Sequence, residues 1–188
     1  VSQGLTGGDL MEEAIALIEQ IIEEHGQIIR GLQALERVTN DADALKVLDK
    51  AQGDFVPGRL GDHQPGLQSW RDSLEVTDQG MRAHFNREEI SLLPVIENHG
   101  SETQVSSWRA WLSEHEELRN HLAVLKKELA ELTAEHLSRK VWEERAWGIR
   151  VYMSQTHRLF HKHTRGEQKL LLSIKKGLQE KIKMEQQT

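Results

Sequence analysis

Two phrases are each written twice in this chain, and a fold that respects both copies carries an internal repeat. EHGQIIRGLQAL, beginning at Glu24, returns as EHEELRNHLAVL at Glu114; HFNREEISLLPVI, beginning at His84, returns as HTRGEQKLLLSI at His163. Each Glu-His is followed by apolar residues at helical spacing, and each His-x-x-x-Glu by a leucine pair at the same offset. In a chain with 10 histidines and 30 acids, an isolated His-x-x-x-Glu arises by chance. Two of them in a shared register do not, and they point to two half-sites facing one another with a metal centre between them.

With 188 residues the chain is long enough to bury a substantial core as one domain, with no second domain required. Aromatic and β-branched runs of the kind strands prefer are scarce, which favours an all-α fold. There is no cysteine, so disulfides, thiolate ligands and cysteine catalysis are excluded, and any metal must be held by nitrogen and oxygen. A formal charge of −6 argues against a nucleic-acid partner, because phosphate binding needs a basic surface. The lysines at 175, 176, 181 and 183 are interleaved with acids and read as a solvated helix face. No run approaches the roughly 18 apolar residues of a membrane span, and no basic-then-apolar signal opens the chain. The expectation is a soluble, cytoplasmic protein with no membrane partner.

Periodicity predicts four long helices. The first runs from Leu10 to about Val38, on a stripe of Ile15, Ile18, Ile22, Ile29, Leu32 and Leu35. A short helix over Asp41–Gln52 and a glycine- and proline-rich loop over about 53–66 follow. The second long helix spans about Leu67 to Leu93, with Pro94 ending or kinking it and Asn98, His99 and Gly100 forming a stop. The third spans Glu102 to near Leu132, capped by Ser101, and the fourth about Glu135 to Met184, with Gly148 and Gly177 as weak points. Mostly short connections between four helices favour an antiparallel up-down-up-down bundle with a core over about 10–175 and a long, projecting fourth helix. The whole chain, 1–188, reads as a single domain.

Six ionisable residues fall on the apolar stripes. His25 lies with Ile18, Ile22, Ile29 and Leu32, and His115 with Leu112, Leu118, Leu122 and Leu125. His84 with Glu88, and His163 with Glu167, sit four apart on one helix face. Buried carboxylates and imidazoles without partners cost several kcal/mol each, so their convergence needs a cause. A pair of cations supplies one. Imidazole suits iron, zinc or copper, and a His and Glu four apart can bind one metal while the carboxylate reaches a second. The metal ligands expected are therefore His25, His84, Glu88, His115, His163 and Glu167, with both glutamates bridging.

The same residue types admit other readings. A hydrogen-bonded buried polar network would leave the doubled register without a cause. His157 and His161 are four apart as well, but they project away from the face of His163 and read as solvated. His121, His63, His99 and His136 read as surface residues. Trp108, Trp111, Trp142 and Trp147 read as core and interhelix packing, and Tyr152, on the face of His163, as packing that could approach the metals. Ferritin-like sites place the acid first at spacing three (Glu-x-x-His), the reverse of the order here. The His-Glu-x-x-His of zinc proteases is absent, as are a nucleophile elbow, a phosphate loop and a dinucleotide fingerprint.

On these residues, together with the Leu-Leu-Pro at Leu92–Pro94, the chain resembles the hemerythrin-like (HHE cation-binding) family over nearly all of its four helices. The resemblance implies an antiparallel four-helix bundle around a non-haem centre of two iron ions, with manganese or zinc as substitutes. Oxygen-carrying members have a further histidine where this chain has Arg119 and an aspartate where it has Gln168. The four-histidine, two-glutamate set is instead similar to the sensing and iron-centre-repair members of the family. The function implied is binding or sensing of a small diatomic ligand or peroxide (oxygen, nitric oxide, peroxide or iron status). Two alternatives stand beside it: an enzyme reducing peroxide or nitric oxide or aiding repair of iron centres, and a regulatory interaction module that metal merely stabilises.

Overall fold

The computed structural model describes residues 7–40, 65–132 and 137–187, and these are helical apart from short junctions, with no strand among them. The elements are α1 Gly7–Asn40, α2 Pro65–Asn86, a π-helical turn Arg87–Leu92, α3 Leu93–His99, α4 Glu102–Leu112, α5 Glu114–Leu132 and α6 Arg139–Glu185. Taken by continuity (α1; α2 through α3; α4 with α5; α6) they make four helical stretches, the pattern of a helical bundle. No helix of the described residues is long and apolar enough to cross a membrane. The expected short helix over Asp41–Gln52 lies outside the described residues, as does most of the expected loop. Pro65 and Gly66, expected to close that loop, already belong to α2.

The buried residues follow a heptad. Along α1 they are Met11, Ala14, Ile18, Ile21, His25, Ile28, Leu32 and Leu35, alternating steps of three and four. That is the seam along which helices interlock side chains. Ile15, Ile22 and Ile29, expected on the stripe, flank it and are half-buried. The same alternation carries His115, Leu118, Leu122, Leu125, Leu129 and Leu132 on α5.

Pro94 does not end the second helical stretch. Proline lacks an N–H and its ring clashes with the carbonyl four residues back, so an α-helix cannot run through it unchanged. The chain answers by widening one turn earlier: the Leu93 N–H reaches the carbonyl of Glu88, five residues back, and Pro94 falls in the first turn of α3. The wide turn has a geometric result. A step of four residues overshoots an α-turn of about 3.6 and undershoots a π-turn, so a mixture keeps His84, Glu88, Leu92 and Ile96 in line, and all four are buried.

The third expected helix is interrupted at Ser113, whose hydroxyl bonds back to the Ala110 carbonyl at 2.6 Å and competes with the helical ladder. Its start is as expected, with Ser101 and Gln104 closing a reciprocal capping box. The fourth begins at Arg139, capped by Ser138, whose hydroxyl accepts from the Val141 N–H at 3.4 Å. It runs unbroken through Gly148 and Gly177.

Packing falls into two compact units. One lies within Val1–Gln27, Arg82–Glu116 and His161–Thr188, the other within Ile28–Met81 and Glu117–Phe160. The first contains an apolar cluster that includes Ile18, Ile21, Leu92, Ile96, Trp108 and Leu171. Ile21, Leu92 and Leu171 each stand one helical turn from a candidate ligand, at His25, Glu88 and Glu167, so the stripe that builds this cluster also carries the site. The second unit buries Leu32, Trp70, Leu74, Met81, Leu122 and Met153, among others.

Candidate metal centre

All six residues expected as ligands lie in the first unit, and all are buried: His25 is 2% exposed, and His84, Glu88, His115, His163 and Glu167 are 0% exposed. They form two overlapping groups able to hold a metal ion, His25–His84–Glu88–Glu167 and Glu88–His115–His163–Glu167, with the donor atoms of each group within 4.8 Å of one another. Each half pairs two imidazoles, their centroids 4.7 Å apart for His25 and His84 and 5.1 Å for His115 and His163. Both carboxylates belong to both halves.

The Nε2 atoms face inward. Glu88 Oε1 lies 3.3 Å from His84 Nε2 and 3.5 Å from His25 Nε2, while its Oε2 lies 3.2 Å from His115 Nε2. Glu167 Oε2 lies 3.2 Å from His163 Nε2 and 3.3 Å from His25 Nε2, and its Oε1 is 3.8 Å from His115 Nε2. None of the four oxygens of Glu88 and Glu167, nor Nε2 of His115, makes a hydrogen bond, although all are fully buried. Charged oxygens in that condition are costly unless something more strongly charged sits among them, and a nitrogen–oxygen donor set of this kind suits a first-row divalent cation. By that test the residues present fit a metal.

Three outer carboxylates fix the rings. Nδ1 of His84 donates to Glu24 at 3.0 Å, Nδ1 of His115 to Glu89 at 2.8 Å, and Nδ1 of His163 to Glu114 at 3.1 Å. Holding Nδ1 as the N–H donor leaves Nε2 as the lone-pair nitrogen that a metal would use, the usual service of an outer carboxylate to a metal-bound histidine. Sequence reasoning saw Glu24 and Glu114 only as part of the repeated Glu-His and gave them no role. The repeated Glu-His marks the two positions, but not that each glutamate, preceding one inward histidine, serves another from a different helix.

Histidines and carboxylates in the cluster shift one another's protonation. Burial alone would push the His25 imidazole down, but the Glu167 and Glu88 carboxylates outweigh it and raise it to about 9. His115 is raised to about 9 in the same way against the same burial cost, with Glu89 assisting. Burial would raise Glu167, yet His115, His163 and His25 hold it well below the usual carboxylate range. Glu24, despite partial burial, is drawn down to about 2 by His84 and Arg87. Without a cation, the His25 and His115 imidazoles favour their protonated form.

Aromatic rings close the cluster. Phe85 stacks on His115 at 4.0 Å and 19°, and Trp111 meets His163 edge-on at 5.9 Å. Trp111 also lies against Gly166, where an added Cβ would overlap the indole.

The remaining histidines divide differently from the sequence expectation. His161 is exposed, as expected. His157 is not solvated: its side chain is 17% exposed and Nδ1 meets Glu36 at 2.8 Å, because the acid on α1 offers a nearby partner that periodicity on α6 cannot reveal. His121 is half-buried rather than a surface residue, stacked on Tyr152 at 4.6 Å and bonded through Nδ1 to Thr156 at 3.0 Å. His99 is half-buried at the end of α3. His63 and His136 lie outside the described residues. Trp108 and Trp142 are buried as expected, whereas Trp147 is 66% exposed and takes no part in the core. Comparison with family models, curated proteins and solved structures finds no match to this chain.

Proposed function

We propose that this chain is a hemerythrin-like protein that holds two iron ions inside an antiparallel up-down-up-down bundle and there binds or senses a small ligand such as oxygen, nitric oxide or peroxide. The observation that carries the reading is the pair of buried donor groups sharing Glu88 and Glu167, whose oxygens make no hydrogen bond. His25 and His84 would hold one ion, His115 and His163 the other, and the two glutamates both. Bound iron supplies redox chemistry and coordination positions open to a small ligand. The chain's own part is to orient the imidazoles through Glu24, Glu89 and Glu114 and to exclude water with Phe85 and Trp111. Arg119 and Gln168, standing where oxygen carriers have a histidine and an aspartate, favour a sensing or reactive centre over an oxygen store. The reading also takes the chain to act in the cytoplasm without a nucleic-acid partner, in keeping with its net charge of −6.

Metal analysis of freshly purified and anaerobically iron-reconstituted protein, joined to optical spectra of the reduced form before and after oxygen or nitric oxide, tests it. The expected result is two irons per chain, one for each donor group, and a ligand-dependent absorption band. Uptake of less than one ion per group pair, even after reconstitution, would sink the reading. Rapid turnover of peroxide or nitric oxide would move it to an enzyme. Metal-dependent stability with no ligand-dependent spectrum would move it to a regulatory module.

A further inference from the structure

The two halves of the centre share their ligand types but not their surroundings. Aligning the doubled phrases sets Glu24 against Glu114, Arg87 against Gly166 and Glu89 against Gln168. Behind His84, Glu24 is clamped by Arg87 through two contacts, Nη2 to Oε1 at 2.8 Å and Nε to Oε2 at 3.1 Å. Behind His163, Glu114 receives the imidazole alone; among the described residues no lysine or arginine reaches it, and the position matching Arg87 is Gly166, covered by Trp111. One half therefore has its outer carboxylate neutralised by a guanidinium, and the other does not.

We infer that the two cation positions are inequivalent: the His115–His163 position takes up a divalent cation first and holds it more tightly, and Arg87 makes the His25–His84 position the weaker, exchangeable one. The inference rests on the metal reading above. A carboxylate bonded to the outer nitrogen of an imidazole passes electron density to the inner one and improves it as a donor. Two-point binding by a guanidinium withdraws that charge from Glu24 and places a positive group behind His84. Because His84 and Glu88 are fully buried, the repulsion between that group and a cation is poorly screened on the inner side. Arg87 itself is 34% exposed, so solvent weakens the effect. Outer partners shift metal affinity by about 10–100-fold, and a partly screened one falls near the lower end, about tenfold. With one retained and one exchangeable cation, occupancy of the His25–His84 position follows cation supply, which is what a sensor of iron status needs.

Titration of chelator-treated full-length protein with Mn²⁺, followed by calorimetry and by electron paramagnetic resonance, tests this without relying on activity. The expected course is two steps about tenfold apart in affinity, the first giving an isolated-ion signal and the second removing it as the ions couple. Arg87→Gln should narrow the gap to less than about threefold by strengthening the second step, and Arg87→Lys should keep most of it. His84→Ala should leave the tight step, and His163→Ala only the weak one. Two equal steps in the unmodified protein, a gap unchanged in Arg87→Gln, or a tight step surviving His163→Ala would each overturn the inference while leaving the metal reading intact. No Mn²⁺ uptake at all would overturn the metal reading and this inference with it. Far-ultraviolet circular dichroism of each variant separates lost binding from lost fold.

Discussion

The first and second packing units treat buried polarity in opposite ways. In the second, the buried Thr77, Asp78 and Thr156 are closed off nearby: Thr77 donates to the Ser73 carbonyl at 2.8 Å, Asp78 accepts from Lys126 at 2.9 Å, and Thr156 donates to the Tyr152 carbonyl at 2.9 Å. In the first, carboxylates and imidazoles from four helical stretches are turned toward one another, and the inner oxygens make no hydrogen bond. Both units draw on the same heptad positions, filled mainly by apolar side chains in the second and by His and Glu alongside apolar ones in the first. Burial of polar groups alone therefore does not mark a site. Convergence of charged atoms that the protein does not itself satisfy is the mark.

The sharpest way to break this contrast is to remove a residue common to both donor groups and compare it with a buried acid of the second unit. Glu167→Ala should lower affinity for both cations by at least about 100-fold, since outer partners alone account for up to that much. Asp78→Asn should leave metal stoichiometry unchanged and cost about 1–3 kcal/mol of stability through the weakened buried bond to Lys126. Metal analysis and denaturant unfolding of the two variants read both effects. Two retained cations in Glu167→Ala, or metal lost in Asp78→Asn, would erase the distinction.

A second separation comes from pH. His25 and His115 have folded values of about 9 against 6.5 for the free side chain, so without a cation their contribution to stability is complete below pH 6.5 and is lost as pH rises through about 9. A cation must displace those same protons, so its binding strengthens over the same interval. The melting temperature of chelator-treated protein should fall between about pH 6.5 and 8.5 while that of metal-loaded protein holds or rises. Parallel curves for the two forms would mean that the histidine protons and the cation do not compete.

How much of this was legible in the sequence follows from which contacts repeat along a helix and which do not. The all-helical fold and the six inward residues could be read because helical period and doubled register are local, and His25, His84, Glu88, His115, His163 and Glu167 converge as the spacing implied. The wide turn over Arg87–Leu92 was not foreseen: Pro94 signals trouble for an α-helix, but whether the chain stops, kinks or widens depends on what the next turn can bury. The outer acids were missed for a different reason. Glu24, Glu89 and Glu114 each serve a histidine on another helix, at separations in sequence of 60, 26 and 49 residues, and no single-helix pattern encodes such a pairing. His157 and His121 were misread on the same ground.

Glycines sharpen the contrast at a smaller scale. Gly166 sits beneath the Trp111 indole, whereas a Cβ at Gly148, in the second unit, meets nothing within 4 Å. Gly166→Ala should cost about 1–3 kcal/mol as the indole is forced off His163. Gly148→Ala should stabilise by about 0.5–1 kcal/mol, because an open helical position gains only the restriction of the unfolded chain. Thermal unfolding of the two variants should move in opposite directions. A loss at Gly148 would show that its helix face needs the space.

The smallest expected effect is also the most exacting control on the choice of helix face. His157 and His161 repeat on α6 the four-residue spacing that elsewhere joins ligand to ligand, and His157 even has an acidic partner in Glu36. Yet the His157–Glu36 contact is partly exposed, with side chains 17% and 26% exposed, and it contributes about 0–1 kcal/mol. His157→Ala with His161→Ala should therefore leave both cations bound at unchanged affinity and shift the melting temperature only slightly. His84→Ala with His163→Ala should abolish binding, because each histidine faces a glutamate common to both groups and the double change leaves one imidazole per half. The reverse outcome would mean that spacing on α6 was right and its phase was wrong, moving the centre onto the face that carries His157.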